Sequence, residues 1–267
     1  IGCEVYVALE EMTQKRPNID DKRHHLILLA KNEVGYKNLV KLVTKAHLKG
    51  FYYKPRIDEK LLAKHTSGLI GLSACLQGKI PKLLLSKKIA EAEKIAIRYQ
   101  EIFSKDSFYL EIQHHSNIRE QKTVNNGLIS ISEKYGIPLV ATNDVHYLKP
   151  EDSDAQDILM LINTGARLSD QERLTLKIDD FSLRSSQEMA EDFKETPQAI
   201  KNTKKIADLC NFQFELGKIK LPYFEVPSGK TPDTYLKELT LAGAKKRFGN
   251  NLKKEILKRL DYELSII

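Results

Sequence analysis

Two side chains able to do metal chemistry, Asp144 and His146, stand two residues apart at the end of the stretch Pro138-Leu139-Val140-Ala141-Thr142-Asn143-Asp144-Val145-His146-Tyr147. The stretch follows Gly136 and is apolar until it stops on Asn143 and Asp144, the pattern of a buried parallel strand. Folds built on such strands place polar chemistry at their carboxyl ends. In extended backbone, residues two apart point the same way, so one carboxylate and one imidazole can address one ion. An Asp-x-His after a strand also serves as a turn with a satisfied polar pair, so the other strand ends decide. They offer Glu4, His25, Cys75 and His115, with His114 the alternative to the last. Each has a plainer role available: a core histidine, a small core thiol, a loop histidine, a carboxylate paired with a lysine, a helix cap. Together, however, the six sit on five successive strands, which a barrel would bring to one mouth. Mixed oxygen and imidazole donors suit Zn²⁺, Mn²⁺ or Fe. Such ions acidify a bridging water and clamp a phosphate, so phosphoester hydrolysis is the natural chemistry.

Strands are expected over 1–8, 24–30, 68–73, 107–113 and 138–142, separated after the second by helices over 33–49, from 58, over 80–103 (two) and 119–135. The segment 10–22 reads as a loop, and the aromatic and basic stretch 51–56 as loop packing rather than base stacking. This alternation predicts an α/β fold with βαβ units on a parallel sheet or barrel. Beyond Pro150 the rhythm changes. Helices are expected over 152–163 and from Pro197 to about 210, a short strand-like run over 181–183, an extended linker over 218–230, and two basic helices over 232–248 and 251–267.

The chain has 267 residues and a formal charge of +7, which suits a polyanionic partner. No apolar run is long enough to span a bilayer, so no membrane partner is expected. Three scattered cysteines, Cys3, Cys75 and Cys210, argue against a disulfide framework and for a reducing, cytoplasmic setting. Both ends fall inside periodic elements, which predicts a fragment. Walker-type, Gly-x-Ser-x-Gly and dinucleotide fingerprints are missing.

Several stretches carry a family resemblance: 1–6, 25–32 with 35–39, 68–75, 108–111 and 140–146, followed by 181–185, 188–189, 220–224 and 259–264. In order and along nearly the whole chain, they resemble the polymerase-and-histidinol-phosphatase (PHP) domain of bacterial replicative DNA polymerases of the polymerase III alpha type. The resemblance implies a distorted (β/α)7 barrel, partial here and occupying 1–213 in N-terminally truncated form. A linker and the start of the palm and thumb region would occupy 214–267. It places Glu4, His25, Cys75, His115, Asp144 and His146 at metal-ligand positions, with Zn, Mn or Fe at the PHP site and Mg at a polymerase site outside this chain. It implies a DNA-directed DNA polymerase as the parent, with metal-dependent 3′–5′ exonuclease activity in members that keep the ligands. Implied partners are DNA, a sliding clamp, a clamp loader and, in members with degenerate sites, a docked proofreading exonuclease. The family's opening His-x-His and Thr-Asp-His segments would precede Ile1 and its palm aspartates would follow Ile267. No catalytic residue and no complete metal cluster is therefore expected within the chain. The alternatives are a non-catalytic docking scaffold and a stand-alone PHP phosphoesterase acting on a small ester.

Overall fold

The computed structural model describes residues 1–104, 106–219 and 221–267. Lys220, which belongs to the expected linker and to the 220–224 stretch, lies outside the described residues. The chain divides into two compact units, Ile1–Phe214 and Glu215–Ile267.

Alternation along the strands of the first unit sorts side chains cleanly onto two faces of one sheet. The described strands are β1 (Gly2–Ala8), β2 (Arg23–Ala30), β3 (Arg56–Ile57), β4 (Leu69–Leu72), β5 (Phe108–Gln113) and β6 (Leu139–Thr142), in the order β3-β1-β2-β4-β5-β6. One face sets Val5, Val7, Leu26, Leu28, Leu69, Phe108, Leu110, Ile112 and Ala141 into the main core. Helices α1 (Glu33–Leu48), α2 (Glu59–Ala63), α3 (Lys79–Leu85), α4 (Ile89–Phe103) and α5 (Arg119–Tyr135) pack on that face. The opposite face carries a smaller cluster of Ile70, Leu72, Tyr109 and Val140, with Ile27 and Leu29 against it. Period-two alternation therefore assigns the odd and even residues of each strand to different jobs.

The pairing departs from an all-parallel sheet at one strand. β1 pairs β2 antiparallel and β2 pairs β4 antiparallel, while β1–β3, β4–β5 and β5–β6 are parallel. The link from β1 to β2 holds no helix, so the chain returns beside its own strand as an antiparallel neighbour. Reversal of β2 has a useful result: its beginning, not its end, lies at the carboxyl ends of the other strands.

The outer edge of β6 is covered by a helix. Helices α6 (Ser153–Thr164) and α7 (Ser186–Asp192) precede α8 (Pro197–Leu209), which lies against β6 and adds Ile206 to the smaller cluster. Asn202 Nδ2 donates to Leu139 O at 2.7 Å and Thr203 Oγ1 to Ala141 O at 2.8 Å. Leu110 N donates to Pro138 O, so the even-numbered carbonyls of β6 face β5, and Leu139 and Ala141 present theirs outward. Side chains of α8 thus satisfy the edge, and no strand pairs there among the described residues. A two-residue β3 was not foreseen in the 51–56 stretch. There Arg56 is fully buried and donates to the carbonyls of Gly50, Met12, Gln14 and Asp20, fastening the 10–22 loop.

In the second unit, α9 (Pro232–Phe248) opens with Thr231 as N-cap and Pro at its first position, and ends on Lys245, Lys246 and Arg247. Those cations suit the negative end of a helix. Helix α10 (Lys254–Ile266) follows, and Lys237 reaches Asp261 at 3.9 Å.

Candidate metal centre

Register puts the six candidate residues at one end of the sheet. Leu72, the last residue of β4, pairs with Ile27, and Ile27 pairs with Glu4. Glu4 is therefore level with the end of β4 although it lies early in β1. His25 sits near the start of the reversed strand opposite Tyr6, on the same face as Glu4. Cys75 follows β4, His115 follows β5, and Asp144 and His146 follow β6.

Glu4, His25 and Cys75 form one group. Glu4 Oε1 stands 2.7 Å from His25 Nδ1, and Cys75 Sγ stands 3.8 Å from the same nitrogen. The His25 hydrogen bond holds the Glu4 carboxyl below the usual range, against the opposing effect of burial. Burial pushes the Cys75 thiol up to about 12. Ala74 and Asp144 adopt left-handed backbone, φ 65° and 49°, which turns the chain sharply at the ends of β4 and β6. Strained non-glycine residues of this kind gather where a fold holds side chains for use.

Asp144 links the rest. Burial raises its carboxyl, while His146, His115 and His25 favour its charged form and Glu4 opposes it. His146 Nδ1 is 2.8 Å from the Asp144 carbonyl oxygen. His115 is 6% exposed, burial lowers its pKa, and neither ring nitrogen has a hydrogen-bond partner. Phe181 packs against both imidazoles, with centroids 4.4 Å from His115 and 5.4 Å from His146. His114 faces elsewhere, 3.6 Å from Asp192 and edge-on to Phe193. Electrostatically the six residues thus form one neighbourhood centred on Asp144.

Glu111 belongs to that neighbourhood and was not singled out as a donor. It is 6% exposed, on the face of the smaller cluster, and accepts from Thr142 and Gln113 through Oε1 while Oε2 has no partner. Burial pushes it up to about 7, with Asp144 adding to the rise. The signal in the sequence is partial, one charge within the apolar run Phe-Tyr-Leu-Glu-Ile-Gln; that every position is buried and Oε2 unpartnered shows only in the fold.

Carboxylate, imidazole and thiol donors suit a borderline divalent ion, and three donor atoms, both nitrogens of His115 and Oε2 of Glu111, are buried without a hydrogen-bond partner. The donor chemistry therefore fits. Their arrangement is not that of a closed site: among the described residues, no group of three or more His, Cys, Asp or Glu is placed to hold one ion. Glu4 and His25 spend their nearest donor atoms on each other.

Residues 1–115 match the family described as PHP domain, consistent with an α/β sheet that gathers polar side chains at one end. Residues 1–115 carry that family match, and the chain along its whole length is similar to DNA polymerase III alpha subunits. It is 44% identical over 269 residues to the DNA polymerase III subunit alpha of Treponema pallidum, a match covering 100% of this chain and 23% of that protein. The corresponding figures for Borreliella burgdorferi are 43% over 270 residues, 100% and 23%, and for Thermus aquaticus 38% over 260 residues, 94% and 21%. The chain thus spans under a quarter of the length of these relatives. Among the described residues, no helix is long and apolar enough to cross a membrane.

Proposed function

We propose that the chain is a segment of a bacterial replicative DNA polymerase alpha subunit whose PHP domain binds divalent metal ions and hydrolyses phosphodiester bonds. The observation that carries this reading is similarity along the full chain to alpha subunits named as DNA polymerase III. DNA-directed polymerisation, with its Mg ions, takes place outside this chain. Within it, 1–213 is the PHP domain and 214–267 a linker leading into the palm and thumb.

In this reading Glu4, His25, Cys75, His115, Asp144 and His146 hold Zn, Mn or Fe. When bound, such ions supply an acidified water and neutralise charge at a phosphate. Asp144, the electrostatic neighbour of His146, His115, Glu4 and His25, would share the ion with them, and the Phe181 ring packs against His115 and His146. The substrate is the 3′ end of a DNA strand, drawn by the net positive charge. Further partners are a sliding clamp and a clamp loader. Three free thiols suit a reducing cytoplasm.

One observation favours a second reading. The 2.7 Å contact between Glu4 and His25 uses ligand atoms to close the site on itself. A PHP domain of that kind would serve as a scaffold that docks a separate proofreading exonuclease. Replacement Asp144→Asn in the full-length protein separates the two. The catalytic reading expects bound metal and release of 3′ nucleotides from a single-stranded oligonucleotide each to fall about tenfold or more, with polymerase activity kept. Metal content and nuclease activity unchanged from wild type would overturn it in favour of the scaffold.

A further inference from the structure

Glu111 is the one charged residue of β5, and every residue of that strand is buried. Its Oε1 does structural work, accepting from Thr142 Oγ1 and from Gln113 Nε2 at 3.2 Å. An amide oxygen would serve that purpose equally. The second oxygen, Oε2, is buried and has no partner, an arrangement that is costly unless something unseen satisfies it. Register shows where it stands. Glu111 pairs with Val140, on the face that carries Tyr109 and Val140, and Thr142 ties it to the segment that presents Asp144.

The surrounding groups deepen the problem. Asp144 is an electrostatic neighbour that disfavours a second negative charge, and Glu111 in turn acts on the thiol of Cys75. His115, another neighbour of Asp144, has both ring nitrogens bare. A buried carboxylate oxygen without a partner, electrostatically coupled to the half-buried Asp144, which is itself coupled to a buried imidazole with two bare nitrogens, is a setting that a cation would relieve, because a local positive charge reverses the penalty that each acid imposes on the other.

We infer that Glu111 is a further member of the donor set, giving its unpartnered carboxylate oxygen to a divalent ion held beside Asp144. The inference rests on the metal-binding reading above. It adds to the six residues of that reading a donor from inside a strand, below the loops that supply most of the others.

The test uses the full-length protein and its Glu111→Gln variant, with Asp144→Asn beside them. Each is stripped with EDTA, titrated calorimetrically with Zn²⁺, and assayed for retained zinc after gel filtration. Melting is followed in EDTA and in zinc. Glu111→Gln keeps an acceptor for Thr142, so its melting temperature in EDTA is expected to match wild type. Its zinc affinity is expected to fall about tenfold or more, with most of the zinc-induced rise in melting temperature lost. Wild-type affinity and wild-type zinc-induced stabilisation in Glu111→Gln, with loss in Asp144→Asn, would overturn this inference alone. A wild-type protein that takes up no zinc would overturn it together with the metal-binding reading. Should Glu111→Gln not fold in EDTA, Glu111→Asp decides: its withdrawn carboxylate is expected to weaken zinc binding, and an isotherm equal to wild type would overturn the inference.

Discussion

Single side chains near the site have jobs that can be measured one at a time. Asp157, 2% exposed, accepts from Arg173 at 2.6 and 2.8 Å and from Thr175 at 2.8 Å. These bonds fasten the segment after α6, which leads to Phe181 against the two imidazoles. The Arg173 hydrogen bonds, ahead of that from Thr175, hold the Asp157 carboxyl down to about 2. A folded value below the unfolded one, about 3.9, means that this stability is full above about pH 4 and is lost as pH falls toward 2. Asp157→Asn should therefore lower the melting temperature at pH 7, and the gap from wild type should shrink between pH 4 and pH 2.5. A gap of the same size at both ends would contradict the account. At this scale the sequence was partly legible. The places of Asp144 and His146 after β6, and of His115 after β5, are readable from spacing, while their role as ligands is the proposal. Glu111 was passed over because a strand-interior residue shows its missing partner only once the neighbours are packed around it.

At the scale of elements, periodicity located most strands and helices but not α7, and the strand-like run expected over 181–183 is a single bridge between Tyr147 and Ser182. α5 and α9 match their expected limits of 119–135 and 232–248, and the capping of α1 by Asn32 and of α2 by Asp58 shows why those helices begin where they do. Strand direction and the cover on the sheet edge were not legible. Reversal of β2 depends on a helix-free connection, and the cover on β6 depends on two side chains more than fifty residues downstream. The latter makes a prediction. Asn202→Ala leaves the outward carbonyl of Leu139 bare, and an unsatisfied buried group costs about 1–3 kcal/mol. Urea unfolding should show that loss, and a midpoint equal to wild type would mean that α8 covers β6 by apolar packing alone. Another prediction concerns Gly35, where an added Cβ would lie 1.9 Å from Gly68 O. The contact is with backbone on both sides, so α1 must shift. Gly35→Ala is expected to destabilise by about 3 kcal/mol or more, at the severe end for single substitutions. A cost below about 1 kcal/mol in the same urea experiment would show that the α1 and β4 contact is slack.

For the whole molecule, division into Ile1–Phe214 and Glu215–Ile267 gives each unit its own work. The first holds the sheet and the candidate donors. The second holds eleven Lys and Arg against seven Asp and Glu in 53 residues, a share of positive charge suited to a nucleic-acid backbone. Net charge suggested a polyanionic partner, and the sequence already placed two basic helices in this part of the chain. The central claim remains the metal site, and crystals of the full-length protein soaked in Mn²⁺ or Zn²⁺ test it most directly through anomalous scattering. The account predicts a peak at ligand distance from Asp144 and His115, with the Glu4 and His25 pair opened toward it. Maps without such a peak, and with Glu4 still bonded to His25, would contradict it.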